Sequence, residues 1–224
     1  MQIKVMTNIL EKNDQVAAAL QDRFDKAGIF VLNLLGSPGC GKTSLLENTI
    51  GALKETLSIA VIEGDLFTAK DAQRIEQHGV PVVQINTSGG CHLDANMINS
   101  ALDCLDLAGL DMIVIENVGN LVCPAEFNIG EDSKATVLSI TEGDDKPLKY
   151  PLIFKQASAV ILNKVDLLPY TNFDVKSAVK DITGIHPGVT LLQISCQTGT
   201  GLEGWYTWLI EQVGIKKARR AMNV

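Results

Sequence analysis

Short apolar runs separated by polar, glycine-bearing turns recur along this chain, and two periods can be told apart in them. The runs Val31–Leu35, Ile59–Glu63, Val82–Ile85, Met112–Ile115, Ala135–Ile140, Ala159–Leu162 and Thr190–Ile194 are of strand length and rich in Val and Ile. Near-continuous apolar runs of this kind mark strands covered on both faces. Between them the apolar positions fall at helical spacing. In 4–26 these are Val5, Ile9, Val16, Leu20 and Phe24, with Glu11, Lys12, Asp14, Asp22 and Arg23 between them and Gly28 as the stop. Leu45, Leu46, Thr49, Ile50 and Leu53 mark the inner face of a helix after the first strand, and 69–78 reads as another. The stretch 94–106 carries Met97, Ile98, Ala101, Leu102 and Leu105 at core spacing, with Cys104 on the same helix and expected in the core. Leu202, Trp205, Trp208, Leu209 and Val213 define a last helix over 202–215, turned inward or toward a partner, and the basic tail after it is expected to fray. Residues 141–151, polar and holding Pro147 and Pro151, read as a mobile loop.

Strands alternating with helices imply an α/β fold: three layers, a doubly wound and mostly parallel sheet, and an extra N-terminal helix packed on the core. The whole of 1–224 reads as one domain, with 1–27 as that added helix. Ligands of such sheets lie outside the carboxyl ends of the strands. The polar signals here lie at or just beyond those ends: Gly36, Asp65, Cys91, Glu116, Asn163 and Ser195.

A formal charge of −7 over 224 residues argues against non-specific nucleic-acid binding. No apolar run approaches the ~20 residues that span a bilayer. The opening MQIKVMTNILEKNDQ lacks the apolar centre of a signal peptide, so a cytoplasmic protein without a membrane partner is expected. Five cysteines are too few for a disulfide scaffold in a chain of this length, which leaves them as core residues or metal ligands.

Gly36-Ser37-Pro38-Gly39-Cys40-Gly41-Lys42-Thr43 matches G-x-x-x-x-G-K-[ST] between a strand and a helix. The backbone N–H groups of such a loop converge on phosphate beside a helix N-terminus, the lysine meets the β- and γ-phosphates, and the Thr hydroxyl serves magnesium. Gly39, Cys40, Gly41, Lys42, Thr43 and Ser44 are the expected phosphate-binding set of a P-loop NTPase, with Cys40 as a filler. Asn163-Lys164-Val165-Asp166 matches N-K-x-D. The Asp166 carboxylate suits the N1–H and amine of guanine, the Lys164 stem suits the base face, and Asn163 orients the loop and is within reach of the purine edge. Ser195-Cys196-Gln197-Thr198-Gly199 resembles the S-A-K-type guanine loop, its contact made by backbone, with Cys196 otherwise structural. Together these favour GTP and GDP over ATP. Glu116-Asn117-Val118-Gly119 resembles an E-x-x-G form of the D-x-x-G motif: Glu116 for magnesium, Gly119 for the γ-phosphate. Asp65 is a second magnesium candidate, and Asp71 is another or a candidate for orienting water; helix capping is the other reading of both, and weighs more for Asp71. Lys42, Asp65, Asp71 and Glu116 are thus the candidate groups for phosphoryl transfer, which is largely positioning and charge neutralisation.

GTP leaves Cys91, His92 and Cys123 unexplained. Thiolate and imidazole suit zinc and nickel, though spacing alone leaves a structural role open. His78 and His186 read as surface residues. Glu126 and Asp132 read as partner contacts or solvated charges, and Lys149 as solvated or reaching a nucleotide across a dimer.

The blocks NLLGSPGCGKTSLLE, VIEGDLFTAKDAQRI, TSGGCHLDANMI, VIENVGNLVCPAEFNIGED, KYPLIFKQASAVILNKVDLLPY and SCQTGTGL resemble the HypB family of nickel-insertion GTPases, itself similar to UreG. The resemblance implies that Cys91, His92 and Cys123 hold nickel or zinc at a subunit interface. It further implies a GTP-dependent homodimer that hydrolyses GTP slowly and delivers nickel to a hydrogenase large-subunit precursor alongside a HypA-like nickel chaperone. Some family members carry an N-terminal cysteine-rich or histidine-rich nickel segment. Here no cysteine precedes Cys40 and no histidine precedes His78, so nickel storage is not expected. Three alternatives stand beside this reading: a GTPase assembly switch with a purely structural metal, a UreG-like urease nickel chaperone, and a small-molecule kinase. The adjacent Cys91-His92 pair does not supply UreG's Cys-Pro-His, and N-K-x-D argues against the kinase.

Overall fold

The computed structural model describes residues 8–66 and 70–222. Val5 and the side chain of Ile9, both expected on the inner face of the first helix, lie outside what is described, as does residue 69 at the start of the expected 69–78 helix. The strands β1 (Phe30–Gly36), β2 (Ile59–Asp65), β3 (Val82–Asn86), β4 (Met112–Glu116), β5 (Ser133–Ser139), β6 (Ala159–Asn163) and β7 (Thr190–Gln193) form one sheet in the order β3-β2-β4-β1-β5-β6-β7. Every pairing between neighbouring strands is parallel. All the strands therefore end on one rim.

Successive side chains of a strand point to opposite faces, and the core divides accordingly. Phe30, Leu32 and Leu34 of β1 join Met112 and Val114 of β4 under α2 (Lys42–Leu53) and α9 (Leu202–Met222). On the other face Val31, Ile113 and Ile115 meet α1 (Asn8–Ala27) and α4 (Ala95–Ala101). Leu35, Leu138, Val160 and Leu162 meet α7 (Pro151–Gln156) and α8 (Val175–Ile185) on that same side. The three-layer, doubly wound architecture is the expected one. Among the described residues no helix is long and apolar enough to cross a membrane.

Several local expectations are corrected. The helix at Ala95 ends at Ala101 and tightens into a 3-10 turn over Leu102–Cys104, which swings Cys104 out to solvent. Residues 141–151 are not a loop throughout. Pro147 and Pro151 each occupy the first turn of a helix, α6 (Lys146–Lys149) and α7, where no N–H is needed. Four helices were not foreseen: α5 (Cys123–Glu126), α6, α7, and α8, which Asp174 caps through the Ser177 N–H at 3.1 Å. The remaining helix, α3 (Lys70–Glu76), lies where one was expected.

The basic tail does not fray after Val213. It continues as helix to Met222 because Lys216, only 3% exposed, is gripped by Asp25 of α1 and by Asp132 at 2.7 Å. One turn later Arg220 donates to the Ala27 carbonyl at the end of α1 at 2.9 Å. The N-terminal helix is pinned at its other end by buried Asn13. Its amide donates to the Asn128 carbonyl at 2.7 Å, and its carbonyl accepts the Ala95 N–H at 2.9 Å. Removing one partner of a buried ion pair leaves the other uncompensated. Lys216→Ala is expected to destabilise the protein by about 3 kcal/mol, read as a lower urea midpoint at unchanged slope. An unaltered midpoint would show that the tail contributes nothing to the fold.

Candidate nucleotide and metal site

Phosphate chemistry concentrates where β1 gives way to α2. Gly41 takes φ 102°, and a Cβ there would lie 2.3 Å from the Asn163 amide, so only glycine fits. Lys42, 7% exposed, rests its ammonium on the loop carbonyls of Gly36 and Ser37 at 3.4 and 3.5 Å. The Thr43 hydroxyl donates to Glu116 at 2.9 Å. Directly across the β2–β4 ladder from Glu116 stands Glu63, 2% exposed. Burial, and then the neighbouring Glu116, drive the Glu63 carboxyl up to about 10. Burial raises Glu116 too, against the pull of Lys42. One oxygen of each carboxyl is buried without a hydrogen-bond partner. Two buried carboxyls and a hydroxyl with spare oxygen lone pairs are a donor set that fits a hard cation such as magnesium.

These groups line a cavity of about 430 Å³ with Gly39, Ser44, Asp65, Asp71 and Gly119. Asp71, in the first turn of α3, pairs with Arg74 at 3.0 Å. Arg74 also grips Glu47 at 2.6 Å and comes within 3.4 Å of the Ser44 hydroxyl. Glu63 and Arg74 were not singled out from sequence. A signal for Glu63 existed: β2 and β4 both run Val-Ile-Glu into their last turns.

A second cavity, of about 450 Å³, shares Gly41, Ser44 and Lys164 with the first and continues past Asn163, Asp166, Cys196 and Gln197. The Ser195 hydroxyl donates to Asp166 at 2.5 Å and fixes its carboxylate. Asn163 is engaged by protein at both ends of its amide: its nitrogen donates to the Cys40 carbonyl at 2.9 Å, and its carbonyl accepts the N–H groups of Lys164 and Cys196 at 2.7 and 3.3 Å. It is a strut joining three loops, and the second hydrogen of its amide is what it has left to offer a purine edge. The side chains of Cys40 and Ser195 are buried behind the cavities, so any part they take in binding is through backbone or through Asp166. Burial pushes the Cys40 and Cys196 thiols up to about 11, which keeps both inert as nucleophiles.

Around the rim lies the third group. After β3, the Thr87 hydroxyl and the Gly90 carbonyl close a turn at 2.7 Å that presents Cys91 and His92. Cys123 opens α5 opposite them. The donor atoms of Cys91, His92 and Cys123 all lie within 4.8 Å of one another, with Cys91 exposed to solvent. The His92 ring stacks on Phe127, centroids 3.9 Å apart, which fixes its plane. Burial lowers the His92 pKa and favours the neutral imidazole that a metal needs. Hydrogen bonding from Cys91, then burial, holds the Cys123 thiol above its ordinary value. Two thiols, one neutral imidazole and an open side fit a borderline-soft divalent ion such as zinc or nickel. Phe127 was not anticipated, since nothing local marks it as the neighbour of His92.

The remaining candidates stand apart. Asp132 accepts the Val31 N–H at 2.8 Å besides holding Lys216, so it belongs to the scaffold rather than to a partner surface. Lys149 pairs with Asp145 on an exposed helix and lines neither cavity. Glu126 is exposed beside His92, while His78 and His186 are half-buried.

Residues 30–193 match the family description "CobW/HypB/UreG, nucleotide-binding domain". The hydrogenase maturation factor HypB of Azotobacter vinelandii is 48% identical over 218 residues, covering 97% of this chain and 72% of that protein. The chain belongs to the HypB family. A hydrogenase/urease maturation factor HypB from Helicobacter pylori is 42% identical over 214 residues, 94% of this chain and 88% of the relative. A crystal structure of HypB from Helicobacter pylori in complex with nickel superposes with a TM-score of 0.87 at 40% identity, covering 92% of this chain and 97% of that one. The matched span holds the P-loop, Glu63, Glu116, the Cys-His-Cys cluster and N-K-x-D, whereas Ser195 and Cys196 lie just past it.

Replacing Cys91 and Cys123 together by Ala is expected to lower zinc affinity by more than about 100-fold, with guanine-nucleotide binding retained. Thiol ligands must shed protons to bind metal. With Cys123 held above its ordinary value, zinc affinity is expected to rise with pH through the neutral range. Competition titration against a chromophoric chelator reads both. Unchanged affinity in the double variant would remove the cluster from consideration.

Proposed function

We propose that this protein is a GTP-hydrolysing switch that carries nickel for hydrogenase maturation. The observation that supports this best is the segment from Glu116 to Cys123. It begins in the phosphate cavity and ends in the thiol–imidazole cluster. A change in the first is thereby felt in the second.

Guanine fits the second cavity with its N1–H and amine on Asp166, whose carboxylate is prepositioned by Ser195. The phosphates fit the N–H-lined loop of residues 36–43, and the Lys42 ammonium moves from the Gly36 and Ser37 carbonyls to the β- and γ-phosphates. Thr43, Glu116 and Glu63, with Asp65 beside them, would hold magnesium, which supplies charge neutralisation at the phosphates. Asp71, which lines the same cavity, would orient the attacking water. Water adds to the γ-phosphorus as GDP leaves, yielding GDP and inorganic phosphate. The arginine in this cavity, Arg74, is engaged by Glu47 and Asp71, which fits slow unassisted turnover.

Cys91, His92 and Cys123 take the nickel or zinc as cargo. Cys91 is exposed, which suits a site completed or emptied by a second protein: another copy of this chain when GTP is bound, a HypA-like nickel chaperone, or the hydrogenase large-subunit precursor. The free thiols suit the cytoplasm.

Lys42→Ala is expected to reduce GTP turnover at least about 100-fold, measured as phosphate release under saturating magnesium. Wild-type turnover would exclude the P-loop lysine from the chemistry. Asp166→Asn gives up two charge-assisted hydrogen bonds and is expected to cut the preference for GTP over ATP roughly 100-fold. Undiminished preference in a competition assay would mean that guanine is read elsewhere.

A further inference from the structure

Beyond the ligands themselves, buried asparagines fasten the metal-bearing turn to the nucleotide rim. Asn117 follows Glu116 directly and is 1% exposed. Its backbone N–H is tied to the Leu34 carbonyl of β1 at 3.0 Å. Its side-chain carbonyl accepts the Leu93 N–H at 3.1 Å and the Val118 N–H at 3.0 Å. Its amide donates to Asn33 at 3.1 Å, and Asn33 in turn donates to Glu131 at 3.1 Å. Leu93 is the residue after His92. Its side chain is seated on Gly64 so closely that a Cβ at Gly64 would lie 2.7 Å from Leu93 Cδ1. Leu93 therefore touches the carboxylate-bearing ends of both β2 and β4: by its N–H beside Glu116, and by its side chain between Glu63 and Asp65.

A second strap runs from the P-loop. The Asn120 N–H donates to the Gly36 carbonyl at 3.1 Å, and the Asn120 amide donates to the Cys91 carbonyl at 3.4 Å. Between the two asparagines, Gly119 stands against Pro38, where a Cβ would meet the Pro38 nitrogen at 2.8 Å. A close-packed, hydrogen-bonded path of this kind transmits a displacement rather than absorbing it. Satisfying polar groups does not by itself require that one strap end on the residue after His92 and the other on Cys91.

We propose that Asn117 is the positioning residue through which nucleotide state sets metal affinity, acting on the backbone just after His92, with Asn120 as a weaker second strap acting on Cys91. This rests on the nucleotide-coupled metal function proposed above. A shift of the Glu116 strand end on nucleotide exchange moves Asn117, Asn117 moves Leu93, and the Cys91–His92 pair changes its distance to Cys123.

The test is a thermodynamic cycle on the full chain. Zinc affinity is measured at saturating GDP and at a saturating non-hydrolysable GTP analogue, for wild type, Asn117→Ala and Asn120→Ala. The expected wild-type ratio between the two states is about tenfold. Asn117→Ala brings it to within about twofold of unity and Asn120→Ala lowers it part-way, while the reciprocal effect of zinc on nucleotide affinity falls by the same factor. A purely structural role would weaken both affinities and leave the ratio alone. A wild-type ratio preserved in Asn117→Ala overturns the relay and spares the coupled function. A wild-type ratio of one overturns the coupled function and the relay with it. Should Asn117→Ala not fold, Asn120→Ala at its half-buried position carries the same test, with an unreduced ratio counting against the proposal.

Discussion

A carboxylate inside a protein must find a hydrogen bond, a cation or a proton, because an isolated buried charge costs more than folding supplies. Glu63 and Glu116 confront this chain with that problem twice at one point. They face each other across adjacent parallel strands, each with an unpartnered oxygen, and each titrates above its ordinary range. Much of the site answers them. Thr43 gives Glu116 its hydroxyl, Lys42 lies near enough to pull both carboxyls back toward ionisation, and the phosphate cavity opens directly above. In the proposed function a divalent cation with a triphosphate would complete what the protein leaves short, and ligand binding would relieve the buried charge.

The all-parallel sheet explains why the thiol–imidazole cluster is found on the same rim. Crossover helices return each strand to the same starting edge, so the polar segments that stop the strands accumulate at the other. Cys91 and His92 follow β3, and Cys123 follows β4 by way of the loop that carries Gly119. Adjacency alone does not couple two sites. The buried amides do more, since Asn33, Asn117 and Asn163 each donate from one end and accept at the other, and so tie separate segments together. In a low-dielectric interior such bonds are costly to break one at a time, so the loops they join are expected to move together.

Helix α1 extends the same logic away from the rim. Asn13 holds the start of α4, just past the Cys-His turn, and the segment beyond Phe127 at once. Lys216 and Arg220 fasten the other end of the helix to α9. The added N-terminal helix is thus a brace for the two segments that carry the Cys-His-Cys cluster, and the last helix braces it in turn.

Local features were legible from the residues alone. Strand-length runs of Val and Ile, the phosphate loop, N-K-x-D and the Cys-His pair each lie within a few consecutive positions, because consecutive backbone N–H groups bind phosphate and consecutive apolar residues make a doubly covered strand. What escaped was set by register and packing between distant segments. Glu63 becomes part of the site only because β2 lies beside β4 in that alignment. Phe127 meets His92, and Arg74 meets Glu47, only once separate elements are docked. Asn163 reads as a loop-orienting residue within reach of the base, but its ties to the Cys40 carbonyl and the Cys196 N–H appear only once the three loops are docked. The tail 216–222 reads as frayed because the acids that hold Lys216 are contributed by α1 and by the start of β5. The chemistry that one segment can do by itself was decided by sequence. Which carboxyls share a cation, which amides are spent and which loops move together were decided by the tertiary structure, because each depends on distances between residues the chain does not place side by side.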